Sequence, residues 1–324
     1  MASLDSNGAK QLVSLVVPVF NEEEVLKTFY ERSTKALASI ENLDYEIIFI
    51  DDGSRDTSFQ QLAAFASADP HIRVIKFSRN FGHQIAISAG IDLAKGECVA
   101  VIDADLQDPP EVVAEMVAEW QRGTDVVYGV RSDRAGETWL KLRTASWFYK
   151  LLGRLSNIHI PPNVGDFRLM SRRVIDQVRT LREKDRFVRG LVSWVGFKQT
   201  GLTYRRDARY AGETKYPFRK MLKFSFDGIT SFSTVPLKLA TWLGSLTAVI
   251  AVLYLLSVFV QKLLGYTVEG WATIMVAMLF MGSVQLICLG ILGEYLGRIF
   301  NEVKPRPMYV IEEVLECKPP TGAN

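Results

Sequence analysis

No residue between Lys238 and Lys262 carries a charge, and none does between Glu269 and Glu294. Each gap is longer than the roughly 20 apolar residues a helix needs to cross a bilayer. Unless both are core helices of a large soluble domain, part of this 324-residue chain lies in lipid. The hydrophobic content of 48% is high for a soluble protein, and the excess is concentrated in these two stretches. Charge bias around such spans sets their orientation. Arg219, Lys220, Lys223 and Lys238 precede the first; Arg298, Lys304 and Arg306 follow the second; the loop between has only Lys262 and Glu269. Both termini are therefore expected in the cytoplasm. Glu294 and Arg298, four apart, can pair at the inner edge of the second helix. Ahead of the first span, Phe218, Met221, Leu222, Ile229 and Phe232 recur at helical spacing among basic residues, as in a helix lying in the membrane interface.

The rest of the chain reads as a soluble domain. Met1 to Lys10 is polar and lacks the apolar core of a signal peptide. Cys98, Cys288 and Cys317 are odd in number and far apart, which suggests neither a disulfide framework nor a zinc site and fits a reducing compartment. A formal net charge of +2 singles out no class of partner, and no nucleic-acid partner is expected.

From Leu12 onward, short β-branched runs alternate with helical patterns. Strands are expected at 12–19, 45–50, 72–77, 98–102 and 125–130, with helices through Ile40, to about Ala68, over 83–94 and over 110–121. Such alternation means βαβ units and an α/β fold with a mainly parallel sheet and flanking helices. Further on, a basic amphipathic helix is expected over 138–156, a short strand at 166–170, a helix over 171–181 and a last strand near 197–206. In parallel sheets ligands sit beyond the carboxyl ends of the strands. The polar clusters at 18–24, 51–56, 103–107 and 131–134 all lie there.

Val101 to Glu111 is the most pointed of these clusters. An apolar run ends in Asp103-Ala104-Asp105-Leu106-Gln107, and on an extended segment residues two apart face the same way. Two carboxylates there suit a hard divalent cation that could hold phosphate oxygens; a plain polar loop is the alternative. Asp108 before Pro109-Pro110-Glu111 reads as a helix cap followed by first-turn prolines. At the first strand end, Asn21 can cap a helix with Glu24 completing a capping box, and Glu22 suits a first turn. One of Asp51 and Asp52 can cap a turn, and Asp56 before Thr57 reads as an N-cap.

Taken together, Val17-Pro18-Val19-Phe20-Asn21-Glu22, Asp51-Asp52-Gly53-Ser54-x-Asp56 and Asp103-Ala104-Asp105-x-Gln107 resemble, in order and spacing, the GT-A fold of family 2 glycosyltransferases. With Arg131 and Lys215 the resemblance covers roughly 12–220, and the paired C-terminal spans are similar to those of polyprenyl-phosphate glycosyltransferases. It implies that Pro18, Phe20, Glu22, Asp52, Asp103 and Lys215 bind the nucleotide sugar. It also implies a Mg²⁺ or Mn²⁺ ion held by Asp103, Asp105 and Gln107, with Asp105 essential to catalysis. Arg131, Arg143 and Arg209 would bind the acceptor phosphate, each with a solvated surface charge as its alternative. Asp166 occupies the position of the family's catalytic acidic residue and could take a proton, orient the acceptor or contact sugar hydroxyls. The stretch Phe187 to Trp194 lacks the Gln-x-x-Arg-Trp of processive synthases, which disfavours polymer synthesis. His83 opens a helix close to the nucleotide.

The expected organisation is a polar tail (1–11), a cytoplasmic GT-A, Rossmann-like catalytic domain (12–216), juxtamembrane amphipathic helices (217–237), two transmembrane helices (238–262 and 270–296) and a cytoplasmic tail (297–324). The expected reaction is inverting transfer of one sugar, with UDP-glucose the favoured donor, to polyprenyl (undecaprenyl) phosphate at the inner or plasma membrane. GDP-mannose and UDP-N-acetylhexosamine are alternative donors. A non-catalytic nucleotide-binding membrane scaffold is the reading from another class. A dinucleotide oxidoreductase fits poorly, because no Gly-x-Gly-x-x-Gly follows the first strand. A homo-oligomer is expected, with a tetramer favoured, and Met308 to Ile311 has the character of a strand that can add to a neighbour's sheet.

Overall fold

A computed structural model describes residues 10–132, 164–184, 186–205, 235–265 and 270–317. The chain divides into two units, a sheet domain that also takes in the segment from Arg306 onward, and a helical unit containing the two long apolar helices. The segments expected to be amphipathic helices (138–156 and 218–232) and the 211–215 loop lie outside the described residues. So do Arg143, Arg209 and Lys215.

The sheet domain is built as the apolar runs require. In chain order it contains β1 (Gln11–Val19), α1 (Leu26–Ala38), β2 (Leu43–Asp51), α2 (Ser58–Ala68), β3 (Ile72–Phe77), α3 (His83–Leu93), β4 (Cys98–Val101), α4 (Val112–Gln121) and β5 (Val126–Arg131). β6 (Val164–Ser171), α5 (Arg172–Thr180), α6 (Val188–Val195) and β7 (Gln199–Tyr204) follow. After the long helices α7 (Val235–Leu263) and α8 (Trp271–Val303) comes a last strand, β8 (Ile311–Glu316). The strands lie side by side in the order β7-β5-β6-β4-β1-β2-β3-β8. β1 pairs in parallel with β2 and β4, β2 with β3, and β5 with β7. β6 and β8 run antiparallel to their neighbours.

Helices cover both faces of the sheet, so the central strands are apolar on both sides. On one face Val13, Leu15 and Val17 of β1 pack with Leu26 and Phe29 of α1, Leu62 of α2 and Met116 of α4. On the other, Val16 and Ile48 pack with Ile87 of α3, Val174 of α5 and Val192 of α6. A Cβ at Gly90 of α3 would collide with Val16 Cγ1, so the glycine lets this helix seat directly on β1.

Two strands add what the sequence left open. β6 enters between β4 and β5 in the opposite direction, which brings its first residues, not its last, to the carboxyl edge of its neighbours. The C-terminal strand pairs with this chain's own β3 rather than a neighbour's sheet. Tyr309 just before it stacks on Phe77 at 5.3 Å between ring centroids, and its hydroxyl donates to Asp92 at 3.2 Å.

In the second unit, α7 and α8 are both long and apolar enough to cross a membrane. Cys288 Sγ reaches the Ala240 carbonyl oxygen at 3.6 Å, so the two helices touch at this point. The expected pair forms in the last turns of α8, with Arg298 Nη2 3.1 Å from Glu294 Oε1.

Candidate active site

At the carboxyl edge of the sheet the first two polar clusters lock onto each other. Asn21 adopts a left-handed conformation (φ 57°), which a short amide side chain tolerates. Its N–H donates to Ser54 Oγ at 3.0 Å and its Oδ1 accepts from the Arg55 N–H at 2.8 Å. Asn21 therefore ties the β1–α1 loop to the β2–α2 loop. It does not form the expected capping box, because α1 begins only at Leu26 with Val25 at its N-cap. Glu23 and Asp56 reinforce the contact, Glu23 accepting from the Thr57 N–H and Asp56 from the N–H groups of Glu23 and Ser58. Phe20 stays 43% exposed and Glu22 half-buried beside this joint, while Pro18 is buried in β1.

Asp52 is buried, and both its oxygens are engaged by the next loop, accepting from the Phe81 N–H at 2.6 Å and the Gly82 N–H at 2.9 Å. Burial raises its pKa against those two bonds. Gly53 turns the chain with φ +72°, and a Cβ there would lie 2.7 Å from the Arg79 carbonyl carbon. The β3–α3 loop is thus pinned, and His83 and Gln84 open α3 from a fixed base.

β4 ends at Val101, so Asp103 to Gln107 form a turn and not the extended segment expected. Leu106 takes up the strain with φ 60°, a conformation that tends to cluster at functional sites. The alternation survives in burial: Ala104, Leu106 and Asp108 point inward, while Asp103, Asp105 and Gln107 remain half-exposed. Asp105 Oδ1 accepts from the Gln107 N–H at 3.1 Å.

Asp166 comes to the same edge because β6 runs antiparallel. Its side chain is only 7% exposed, and four donors surround it. Arg189 of α6 forks onto it, Nε to Oδ1 at 2.8 Å and Nη2 to Oδ2 at 3.2 Å. Gln84 Nε2 donates to Oδ2 at 3.0 Å. His83 Nε2 lies 3.4 Å from Asp166 Oδ2 and 3.5 Å from Asp103 Oδ1, bridging the two carboxylates. Burial alone would raise the pKa of Asp166, but Arg189, His83 and Arg168 outweigh it and hold the carboxyl well below the usual range. Asp103 is pushed the other way, up to about 6, by desolvation and by the charges of Asp166, Asp105 and Asp108. His83 is raised: burial opposes its charged form, but the bond to Asp166 and the charge on Asp103 prevail.

Arg131, at the end of β5, packs against Gly165. A Cβ on Gly165 would come within 2.8 Å of its Nη2. The guanidinium is oriented by Asp108, 3.5 Å away, and by the Tyr204 hydroxyl at 3.4 Å. That hydroxyl also donates to Asp108 in a short hydrogen bond. Asp108 is thus a buried anchor, as its sequence context suggests, but by a different contact: α4 starts at Val112 with Glu111 at its N-cap.

The acidic pair fits a divalent cation. Asp103 Oδ1 is shielded from solvent and accepts no hydrogen bond. Among the described residues no group of three or more His, Cys, Asp or Glu could enclose a metal. One or two carboxylates are what a Mg²⁺ or Mn²⁺ shared with substrate phosphates needs from the protein. Gln84, Arg189 and Tyr204 were not singled out from the sequence. Gln84 and Asp166 are 82 residues apart and Tyr204 and Asp108 are 96 apart, and no local pattern announces such pairs.

Known proteins resemble this chain over most of its length. Residues 14–179 match the family described as glycosyl transferase family 2, and residues 235–299 match the GtrB C-terminal hairpin. An uncharacterized glycosyltransferase of Bacillus subtilis, YkcC, is 50% identical over 93% of this chain and 93% of its own length. The bactoprenol glucosyl transferase of Shigella phage SfII is 44% identical over 93% of this chain and 97% of its own. A prophage bactoprenol glucosyl transferase homolog of Escherichia coli is 43% identical over 93% and 99%, respectively.

Proposed function

Because the chain belongs to glycosyltransferase family 2 and is a glycosyltransferase, we propose that it moves a single sugar from a nucleotide sugar to polyprenyl phosphate at the cytoplasmic membrane face. UDP-glucose is the favoured donor and undecaprenyl phosphate the favoured acceptor. The names of the relatives at 43–44% identity support the lipid acceptor and the glucosyl group. The observation that carries the reading is the meeting of Asp103 and Asp166 through His83 at the carboxyl edge of the sheet.

In this reading an acceptor phosphate oxygen attacks the anomeric carbon in line. The new bond is phosphate oxygen to carbon, and the bond that breaks is carbon to the donor diphosphate, whose oxygen keeps the electron pair. The anomeric centre inverts. A phosphate monoester is already anionic at neutral pH, so the attack needs no strong base. That suits Asp166, whose ion pair makes it a poor proton acceptor and a good fixed anion. Arg131 offers a planar guanidinium to the acceptor phosphate. Phe20 presents an exposed ring for the donor base. Asp103 and Asp105, with Gln107 beside them, would hold a Mg²⁺ or Mn²⁺ ion, which when bound supplies neutralisation of the charge left on the nucleoside diphosphate.

The test is transfer itself. Full-length protein in detergent, given undecaprenyl phosphate, Mg²⁺ or Mn²⁺ and a panel of UDP-glucose, GDP-mannose and UDP-N-acetylglucosamine, should yield one lipid-phosphate hexose by mass spectrometry. No product with any donor would sink the reading.

A further inference from the structure

The amide of Gln84 joins three elements. From the first turn of α3 its Nε2 donates to Asp166 Oδ2 at 3.0 Å on β6, and its Oε1 accepts from the Val188 N–H at 2.9 Å, where α6 begins. The amide orientation is set by this network, because the reverse would put a donor against the Val188 N–H. The next residue of α6, Arg189, completes the arrangement with its fork onto Asp166 and an Nη1 bond to the Val164 carbonyl at 3.0 Å. The first N–H groups of a helix have no partner within it, so the Gln84 carbonyl also anchors α6.

We propose that Gln84 is a positioning residue: together with Arg189 it fixes the Asp166 carboxylate relative to His83 and Asp103, and the rate of sugar transfer depends on that placement. The inference rests on the transfer reaction proposed above. Displacing a reacting group's support by about 1 Å can cost on the order of a hundredfold in rate. The fork and the amide hold the Asp166 oxygens from two sides, so losing either lets the carboxylate turn.

Anchoring of α6 and positioning of Asp166 are separable. Gln84→Glu keeps an acceptor for the Val188 N–H, and an anion at a helix N-terminus is favourable. It removes the donor to Asp166 and sets a like charge against it. Arg189→Lys keeps the charge but loses the planar fork. Gln84→Met removes both of the amide's bonds.

The experiment measures kcat, donor KM and Tm for the full-length wild type and these three variants, with UDP-glucose and undecaprenyl phosphate as the first substrates and the donor panel as the second. Positioning predicts that Gln84→Glu keeps a Tm near that of wild type and a donor KM within about twofold, while kcat falls about 10- to 100-fold. Arg189→Lys should show the same split, and Gln84→Met should lose Tm as well. A Gln84→Glu enzyme with kcat within about twofold of wild type overturns the inference and leaves only the anchoring of α6. If Gln84→Glu itself loses Tm, Arg189→Lys decides by the same criterion. A wild type silent with every donor overturns the transfer reading, and this inference with it.

Discussion

Asp105 and Asp108 are three residues apart on one turn, and the structure gives them opposite work. Asp105 faces the cleft half-exposed, whereas Asp108 is 2% exposed and anchors Arg131 and Tyr204. Asp105→Ala should therefore lower transfer by about a hundredfold or more, the scale on which lost electrostatic stabilisation of a transition state is felt. Its Tm should stay near that of wild type. Asp108→Ala should lose stability first, by about 3 kcal/mol, because it leaves a partly buried guanidinium and a buried hydroxyl without their acceptor. Thermal unfolding and a transfer assay on both variants check the contrast; equal Tm values would remove it. Asp125 makes a pH-dependent case. Its hydrogen bonds to Arg173 and Ser171 hold its pKa below the ordinary carboxylate value, against burial. A carboxylate depressed in the folded state contributes stability above its unfolded pKa, and that contribution is lost as pH falls through the folded value. Asp125→Asn should thus melt a few degrees below wild type at pH 7, and the gap should begin to narrow in acid, below about pH 4. A gap that does not narrow at all between pH 7 and about pH 3 would assign the effect to packing.

At the scale of elements, the site depends on how closely α3 sits on β1. Gly90 meets Val16 with no room for a methyl group, and α3 carries His83 and Gln84 at its other end. Gly90→Ala should push the helix outward, costing about 1–3 kcal/mol by overpacking. It should also reduce kcat through the displaced first turn, although residue 90 lies about 10 Å along the helix from His83. Wild-type Tm in that variant would mean that the strand gives way instead. This is also the scale at which the sequence was most and least legible. The runs over 12–19, 45–50 and 72–77 match β1, β2 and β3 nearly residue for residue, because strands covered on both faces are mostly apolar. The polar strand ends were legible for the same reason, since carboxylates following such runs fall at one edge. Direction was not. Nothing in Asp166-Phe167-Arg168-Leu169-Met170 tells a parallel strand from an antiparallel one, and only the antiparallel course of β6 brings Asp166 to His83. The β8 segment reads equally well as a strand for its own sheet or for a neighbour's, because edge pairing uses backbone groups that carry no address. The Gln84 amide and the Arg189 fork were invisible, being pairings made by the fold and not by spacing.

At the scale of the whole molecule, the return of the chain to β8 constrains how it is threaded through a membrane. Residues before α7 and residues after α8 belong to the same sheet, with β8 hydrogen-bonded along β3. A sheet cannot straddle a bilayer, since its loops and edges would be left without hydrogen-bond partners in lipid. We therefore predict that the start of α7 and the end of α8 face the same compartment, and that the turn at Leu264 and Gly265 faces the other. The basic residues cluster at the outer ends of the helix pair: Lys238 at the start of α7, and Arg298, Lys304 and Arg306 at or beyond the end of α8. By that bias the catalytic domain is predicted to face the cytoplasm. The length of α8 agrees, since 33 helical residues span about 50 Å against roughly 30 Å of hydrocarbon, leaving its Glu294–Arg298 turns room to emerge. The prediction is read with single cysteines placed at Gly265 or at Glu312 in a chain lacking Cys98, Cys288 and Cys317. A membrane-impermeant thiol reagent added to intact cells should label Gly265→Cys and spare Glu312→Cys; in inverted membrane vesicles the pattern should reverse. Labelling of both positions from one side would mean that the hairpin does not cross. The apolar length of α7 and α8 would then have to be covered by other protein, because nearly all of it is exposed in the single chain.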